Sequence, residues 1–165
     1  MSSQKRGNEG MDAAEILLYF YELGVYDHWK AYFKYINFTH VLCNVHHLRE
    51  LTCAYEQDNC EWANELKTLL LEIKTKVDGV KEVCKQFLES DVKEQYRQKY
   101  FKILANALTL YPSKHSDIEP PKRGRKKQSK HKNLLDRLLK FEKETILFME
   151  DFKVPFDNNL AERDI

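Results

Sequence analysis

No apolar run in this chain comes near the roughly 20 residues that a membrane span requires, so neither a transmembrane helix nor a membrane partner is expected. The first ten residues, Met1 to Gly10, contain no apolar stretch and no amphipathic Arg/Ser spacing, which excludes a targeting segment. Cysteine is sparse: Cys43, Cys53, Cys60 and Cys84 stand 10, 7 and 24 positions apart with no Cys-x-x-Cys pair. Free thiols in a reducing cytoplasm are therefore expected. No internal repeat is evident.

What is present points to a packed body. A chain of 165 residues with 42% hydrophobic and 12% aromatic content can bury one real core. Its net charge is only +1, but the charge is unevenly placed. Residues 122 to 132 hold Lys122, Arg123, Arg125, Lys126, Lys127, Lys130 and Lys132 with no acid, and the remainder has 20 basic against 26 acidic residues, a net −6. A polyanion is thus attracted to one segment and repelled by the rest.

Periodicity along the chain predicts mostly helix. Ile16, Leu17, Phe20 and Tyr21 share one face of a short helix over 11–22, with Asp12 as its cap and Gly24 as its stop. Val25-Tyr26-Asp27 reads as the end of a short strand, and His28 to Tyr35 returns to helical spacing through Trp29, Tyr32 and Phe33. Thr39 to Cys43 is a second strand, with Asn44 as the cap of a helix carrying His46, His47, Leu48, Leu51 and Tyr55. Beyond Asn59 one stripe, Trp62, Leu66, Leu69, Ile73, Val77, Val80, Cys84 and Phe87, predicts a helix of more than seven turns. A second long helix, from about Val92 to Leu110 and begun by Ser90 or Asp91, carries Tyr96, Tyr100, Phe101, Leu104 and Leu108 on its core face and ends at Pro112. The two should pack as an antiparallel hairpin. Residues 113–132 form a solvated loop, and one continuous helix is expected over 133–152. Two strands are too few for a self-sufficient sheet, so either they pair with a further segment or the chain is all helical.

Two carboxylates stand out. Asp27 falls at a strand-to-helix corner, and the run Phe156-Asp157-Asn158-Asn159-Leu160-Ala161-Glu162-Arg163 delivers Glu162 onto the first turn of a helix. Taken alone, each has a local explanation: Asp27 as a helix cap and Glu162 as a reciprocal cap with Asn159. Cys43-Asn44-Val45-His46 has spacing that could begin a zinc site, but a second Cys/His pair is missing and structural zinc takes four ligands. Cys43 is expected to be buried on its strand, with His46 or His47 hydrogen-bonding near an active face or contacting DNA. The basic run can neutralise several phosphates without reading sequence, or serve only as a solvated charge run.

In order along the chain, Met11-Asp12-Ala13-Ala14, Asp27 to Tyr35, Leu42 to Leu51, Asn133 to Leu138 and Val154 to Asp164 resemble the insertion sequence sixty-six type of bacterial transposases. The resemblance covers nearly the whole chain and is thinnest in the helical middle. It implies an α/β, ribonuclease-H-like fold with an incomplete sheet and a large all-helical insertion, the chain itself being predominantly helical. It divides the chain into a partial ribonuclease-H-like core (1–58), a helical insertion with the basic loop (59–132), and a return helix with the third acidic motif (133–165). Asp27 matches the second and Glu162 the third acid of a DDE nuclease site holding Mg2+ or Mn2+. Lys30 and Arg163 would lie near DNA phosphates, joined by Lys122, Arg123, Arg125, Lys126, Lys127 and Lys130. Cys43, His46, His47, Asn158 and Asn159 would support the active face.

The resemblance also has departures. The family's first acid lies upstream of anything matched here, family members continue beyond Ile165, and His28 stands where the family more often has Gly. The expectation is a truncated transposase, inactive alone, whose parent cleaves DNA and transfers strands in the bacterial cytoplasm, its helical insertion contacting DNA or a second protomer. The rival is a non-enzymatic helical remnant that binds DNA or a partner.

Overall fold

The computed structural model describes residues 23–26, 39–112 and 128–157. Among them two short strands, β1 (Leu23–Tyr26) and β2 (Thr39–Leu42), pair with one another in parallel, Leu23 opposite Thr39 and Tyr26 opposite Leu42. Parallel neighbours cannot be joined as a hairpin. Gly24, expected to stop a helix, lies inside β1 opposite His40, where the ladder outweighs glycine's weak strand preference. The helices expected over 11–22 and 28–35 fall outside the described residues.

Helix α1 (Asn44–Asp58) buries Asn44, His47, Leu51 and Ala54, a stripe at three- and four-residue steps. Asn44 does not cap it from outside: Cys43 holds the extended cap position without a side-chain bond, and the Asn44 amide reaches across the fold instead. The helix stops at Asn59, whose φ of 50° is left-handed, a conformation asparagine tolerates better than most residues. Both Asn59 and Cys60 donate their N–H groups to the Ala54 carbonyl.

Helix α2 (Glu61–Glu82) buries Trp62, Leu66, Leu69, Ile73 and Val77 as the stripe predicts, but it ends before Cys84 and Phe87. Cys84 takes φ 58°, its N–H bonds the Lys81 carbonyl, and the Lys85 N–H bonds that of Val80. This is the crossed pair of a left-handed helix terminus, with cysteine where glycine is usual. Phe87 is left 61% exposed, and Leu88 turns into the core in its place.

Helix α3 (Ser90–Leu110) begins with Glu89 at its cap position, without a side-chain cap bond. It runs back along α2, with Tyr111 at its end reaching Cys60 at the start of α2 and Lys99 pairing with Glu72 midway. Tyr96, Tyr100, Leu104 and Ala107 face inward, whereas Phe101 stays 46% exposed. It falls 100° round the helix from Tyr100, off the buried face.

The last helix is broken rather than continuous, and it starts before Asn133. Helix α4 (Lys130–Lys140) is capped by the Ser129 hydroxyl, which accepts the Lys132 N–H, and α5 (Glu142–Glu150) follows a break at Phe141. Two side chains shape that break. The Tyr100 hydroxyl donates to the Leu138 carbonyl at 2.9 Å, and the buried Thr145 hydroxyl donates to the Phe141 carbonyl at 2.8 Å, the back-bonding that bends helices. Lys130 and Lys132 therefore belong to a helix, not to the loop, and Lys132 is only 5% exposed, its ammonium 2.5 Å from Asp136.

Burial pushes the Tyr100 phenol far above its ordinary range, against a smaller opposing pull from the Thr145 hydroxyl. A phenol that ionises later in the folded state lends stability in full below pH 10 and loses it as pH rises past the unfolded value. Relative to Tyr100→Phe, the native chain should lose about 1.4 kcal/mol of unfolding free energy per pH unit above 10. Urea denaturation of both proteins at successive pH values measures this, and parallel curves would refute it.

A single hydrophobic cluster runs from Val41 on β2 through all the described helices to Val154. Helix α1 packs on α2 and α4, α3 on α2 and α4, and α5 on β2 and α2. No helix among the described residues is long and apolar enough to cross a membrane.

Candidate functional site

The carboxyl end of the strand pair is where separate segments converge. Tyr26, the residue before Asp27, pairs with Leu42. Two residues beyond Leu42, the Asn44 N–H donates to the carbonyl of Phe156 at 3.0 Å. Phe156 stands six positions before Glu162. The flank of one candidate acid and the approach to the other thus leave the same edge of the sheet, which is where parallel strands commonly present ligand sites.

Residues 151–156 are tied to the fold by several contacts. Asp151 accepts the Lys153 N–H on its carboxylate at 2.9 Å and the Val154 N–H on its carbonyl at 3.0 Å, and Val154 is buried. The Phe156 ring meets Phe148 edge to face at 4.9 Å, and the Lys74 ammonium lies 5.8 Å from its centroid.

Beneath this edge lie polar groups that are almost fully buried. Asn44 and His47 are each 1% exposed. The Asn44 Nδ2 donates to the Thr145 carbonyl at 2.9 Å, and its Oδ1 lies 3.2 Å from His47 Nδ1. Cys43 is buried at the end of β2, and the His46 N–H bonds its carbonyl. The His46 Nδ1 atom is buried with no hydrogen-bond partner among the described residues.

Of the residues singled out from sequence, Cys43, His46, His47 and Lys130 are described. Asp27, Lys30, Lys122, Arg123, Arg125, Lys126, Lys127, Asn158, Asn159, Glu162 and Arg163 lie outside the described residues. Among the described ones no group of three or more His, Cys, Asp or Glu side chains could hold a metal ion. Sequence reasoning missed Asn44 and Thr145 as site-forming residues. The only local signal was Asn44 three positions before His47, a spacing that puts both on one helix face.

A second constellation joins the two flanks of the basic run. Tyr111 precedes the run, Ser129 and His131 lie in its C-terminal end, and they meet at the α1–α2 corner. His131 Nδ1 is 3.1 Å from Asp58 Oδ2, its Nε2 3.0 Å from the Ser129 hydroxyl, and its ring 4.8 Å from that of Tyr111. The Tyr111 hydroxyl lies 3.6 Å from Cys60 Sγ; that thiol, and then burial, raise the phenol above its ordinary value. The row of Ser129, His131 and Asp58 has the order of an acyl-transfer triad, which needs a hydroxyl free to attack a carbonyl. Ser129 is instead committed to capping α4. The row is a clamp beside an open cleft of about 340 Å³ that Lys130, Cys53 and Glu50 also line.

Comparison with known families decides the lineage of this arrangement. A family model described as Transposase IS66 family matches residues 3–165. The chain belongs to the IS66 transposase family. No characterised protein and no solved structure matched. IS66 membership brings a transposition-related role, with DNA as the partner and divalent metal as the general requirement of the chemistry.

Proposed function

We propose that this chain supplies two of the three acids of a DDE transposase site, Asp27 as the second and Glu162 as the third, within a ribonuclease-H-like core interrupted by the helical hairpin. The observation that carries this reading is the shared edge: β1 ends one residue before Asp27, and Phe156, on the way to Glu162, is bonded to Asn44 just beyond the paired end of β2. Tyr26 and Phe156, the described residues nearest the two acids on this path, both lie by the paired end of β2.

The donor set suits hard cations: carboxylate oxygens are the ligands Mg2+ and Mn2+ prefer. A pair of such ions, about 3.5 to 4 Å apart, activates water and stabilises the leaving oxygen of a phosphodiester. Asp27 and Glu162 would hold the ions, and Lys30 and Arg163 would steady the phosphates beside them. Lys122, Arg123, Arg125, Lys126, Lys127 and Lys130 would add affinity that depends on salt and not on sequence. The helical hairpin would bear on DNA or on a second protomer.

Calorimetric titration of Mn2+ into the 165-residue chain tests the assignment. Asp27→Ala and Glu162→Ala should each weaken binding at least tenfold. Metal binding indifferent to both substitutions would overturn the nuclease reading. DNA binding that persists with no metal site would favour a non-enzymatic helical module.

A further inference from the structure

We propose that the outer face of α3, with the groove between α3 and α5 beside it, is the contact surface between two copies of this chain related by a twofold axis. The inference deepens the reading that the helical hairpin bears on DNA or on a second protomer, and it does not depend on Asp27 or Glu162. The groove, about 400 Å³, is lined by Glu94, Arg97, Gln98 and Phe101 from α3 and by Glu142, Lys143 and Glu150 from α5, and Ile146 and Leu147 give it an apolar lining. The core side of α3 is taken by Tyr96, Tyr100, Leu104 and Ala107. On its outward side Glu94, Gln98, Phe101, Ala105 and Leu108 follow one another at alternating steps of four and three residues, all exposed except the half-buried Leu108. That repeat is the seam along which one helix packs against another, and the small Ala105 permits close approach.

The charges decide the occupant. Around the groove Glu94, Glu142 and Glu150 stand against Lys93, Arg97 and Lys143, and the sum is zero. A phosphate backbone calls for a surplus of cations, which this face lacks. Along α3 the signs are graded instead: Glu94 lies four residues before Gln98, and Lys102 four residues after it. A twofold axis at Gln98 sets the two helices antiparallel, brings each Glu94 opposite Lys102 of the other copy, and turns each Phe101 toward the other copy's groove. A surface that carries both the projecting ring and the groove, and both members of its ion pair, is complementary to itself, as a twofold contact requires. An exposed aromatic at the centre of such a patch is the usual anchor of a protein interface.

Sedimentation equilibrium of the 165-residue chain, without DNA or metal, tests this. The native chain should show a reversible monomer–dimer equilibrium, and Phe101→Asp should weaken it at least tenfold, as loss of a central aromatic anchor does. Phe87, the other exposed phenylalanine, lies at the tip of the hairpin, so Phe87→Asp should dimerise like the native chain. Glu94→Lys and Lys102→Glu should each weaken the dimer several-fold, and the two substitutions in one chain should restore it, because the pair is then reversed in both halves of the contact. A native chain that stays monomeric at several hundred micromolar would overturn the proposal. So would an equal loss in Phe87→Asp, or a doubly substituted chain that associates no better than either single variant. Loss of DNA binding in Phe101→Asp, with the native chain monomeric throughout, would give this face to DNA instead. Mn2+ binding indifferent to Asp27 and Glu162 would sink the metal reading alone and leave the association to be decided by sedimentation.

Discussion

Leu138→Ala is expected to lower the unfolding free energy by about 2–5 kcal/mol, the range for deleting a fully buried leucine side chain and leaving a partly relaxed cavity. Leu138 is fully buried where α4 meets α3, and its own carbonyl takes the Tyr100 hydroxyl, so the site can collapse little without breaking that bond. Domains of this size are held by roughly 5–15 kcal/mol, so the loss is a large share of the total. Phe101→Ala is the matched contrast. The aromatic spacing Tyr96, Tyr100, Phe101 places it in the core, but it lies half out in solvent and should change stability by no more than about 0.5 kcal/mol. Urea denaturation with an unchanged slope measures both. Equal effects of the two substitutions would mean that the packing of α3 is misassigned.

That contrast shows where sequence patterns run out. The two strands were legible because Val41 and Leu42 sit in a short β-favouring run, but their parallel pairing was not, since register depends on residues that are distant in sequence. The stripe of α2 ran on through Cys84 and Phe87 because nothing local forbids helix there. It is the left-handed Cys84, without the glycine that usually announces such a stop, that ends it. The break at Phe141 carries neither Gly nor Pro. It is shaped by Tyr100, which lies 38 positions from Leu138. Such contacts are tertiary, and single-sequence periodicity does not encode them.

The candidate site divides in the same way. Asp27 and Glu162 have bland local explanations and gain meaning only from the ordered motifs around them, which the family match over residues 3–165 supports. The Asn44–Thr145 bond spans 101 positions, and no spacing rule could have announced it. Lys132 shows the opposite failure. Counting charges made it one more exposed cation of a basic run, whereas helix α4 turns it inward onto Asp136 four residues on.

Lys132 therefore enters the second large prediction as its control. Replacing Lys126, Lys127 and Lys130 together with Ala should reduce the slope of log affinity for duplex DNA against log salt by about 2.7, because each phosphate contact contributes about 0.9 through counterion release. At 0.1 M salt the same three contacts correspond to a loss of roughly two to three orders of magnitude in affinity. Lys130 is exposed at the first residue of α4, and the contacts of His131 with Tyr111 and Asp58 anchor the C-terminal end of the run to the fold. Outside the run the chain is net acidic, so little else on the surface is suited to replace those contacts. Lys132→Gln should leave the slope unchanged, since its ammonium is already committed to Asp136. Titrating a labelled duplex at four salt concentrations reads all of this directly. A triple variant with the native slope would remove the basic run from the DNA interface, and a Lys132 variant that shifted the slope would mean that its pairing with Asp136 gives way when DNA binds.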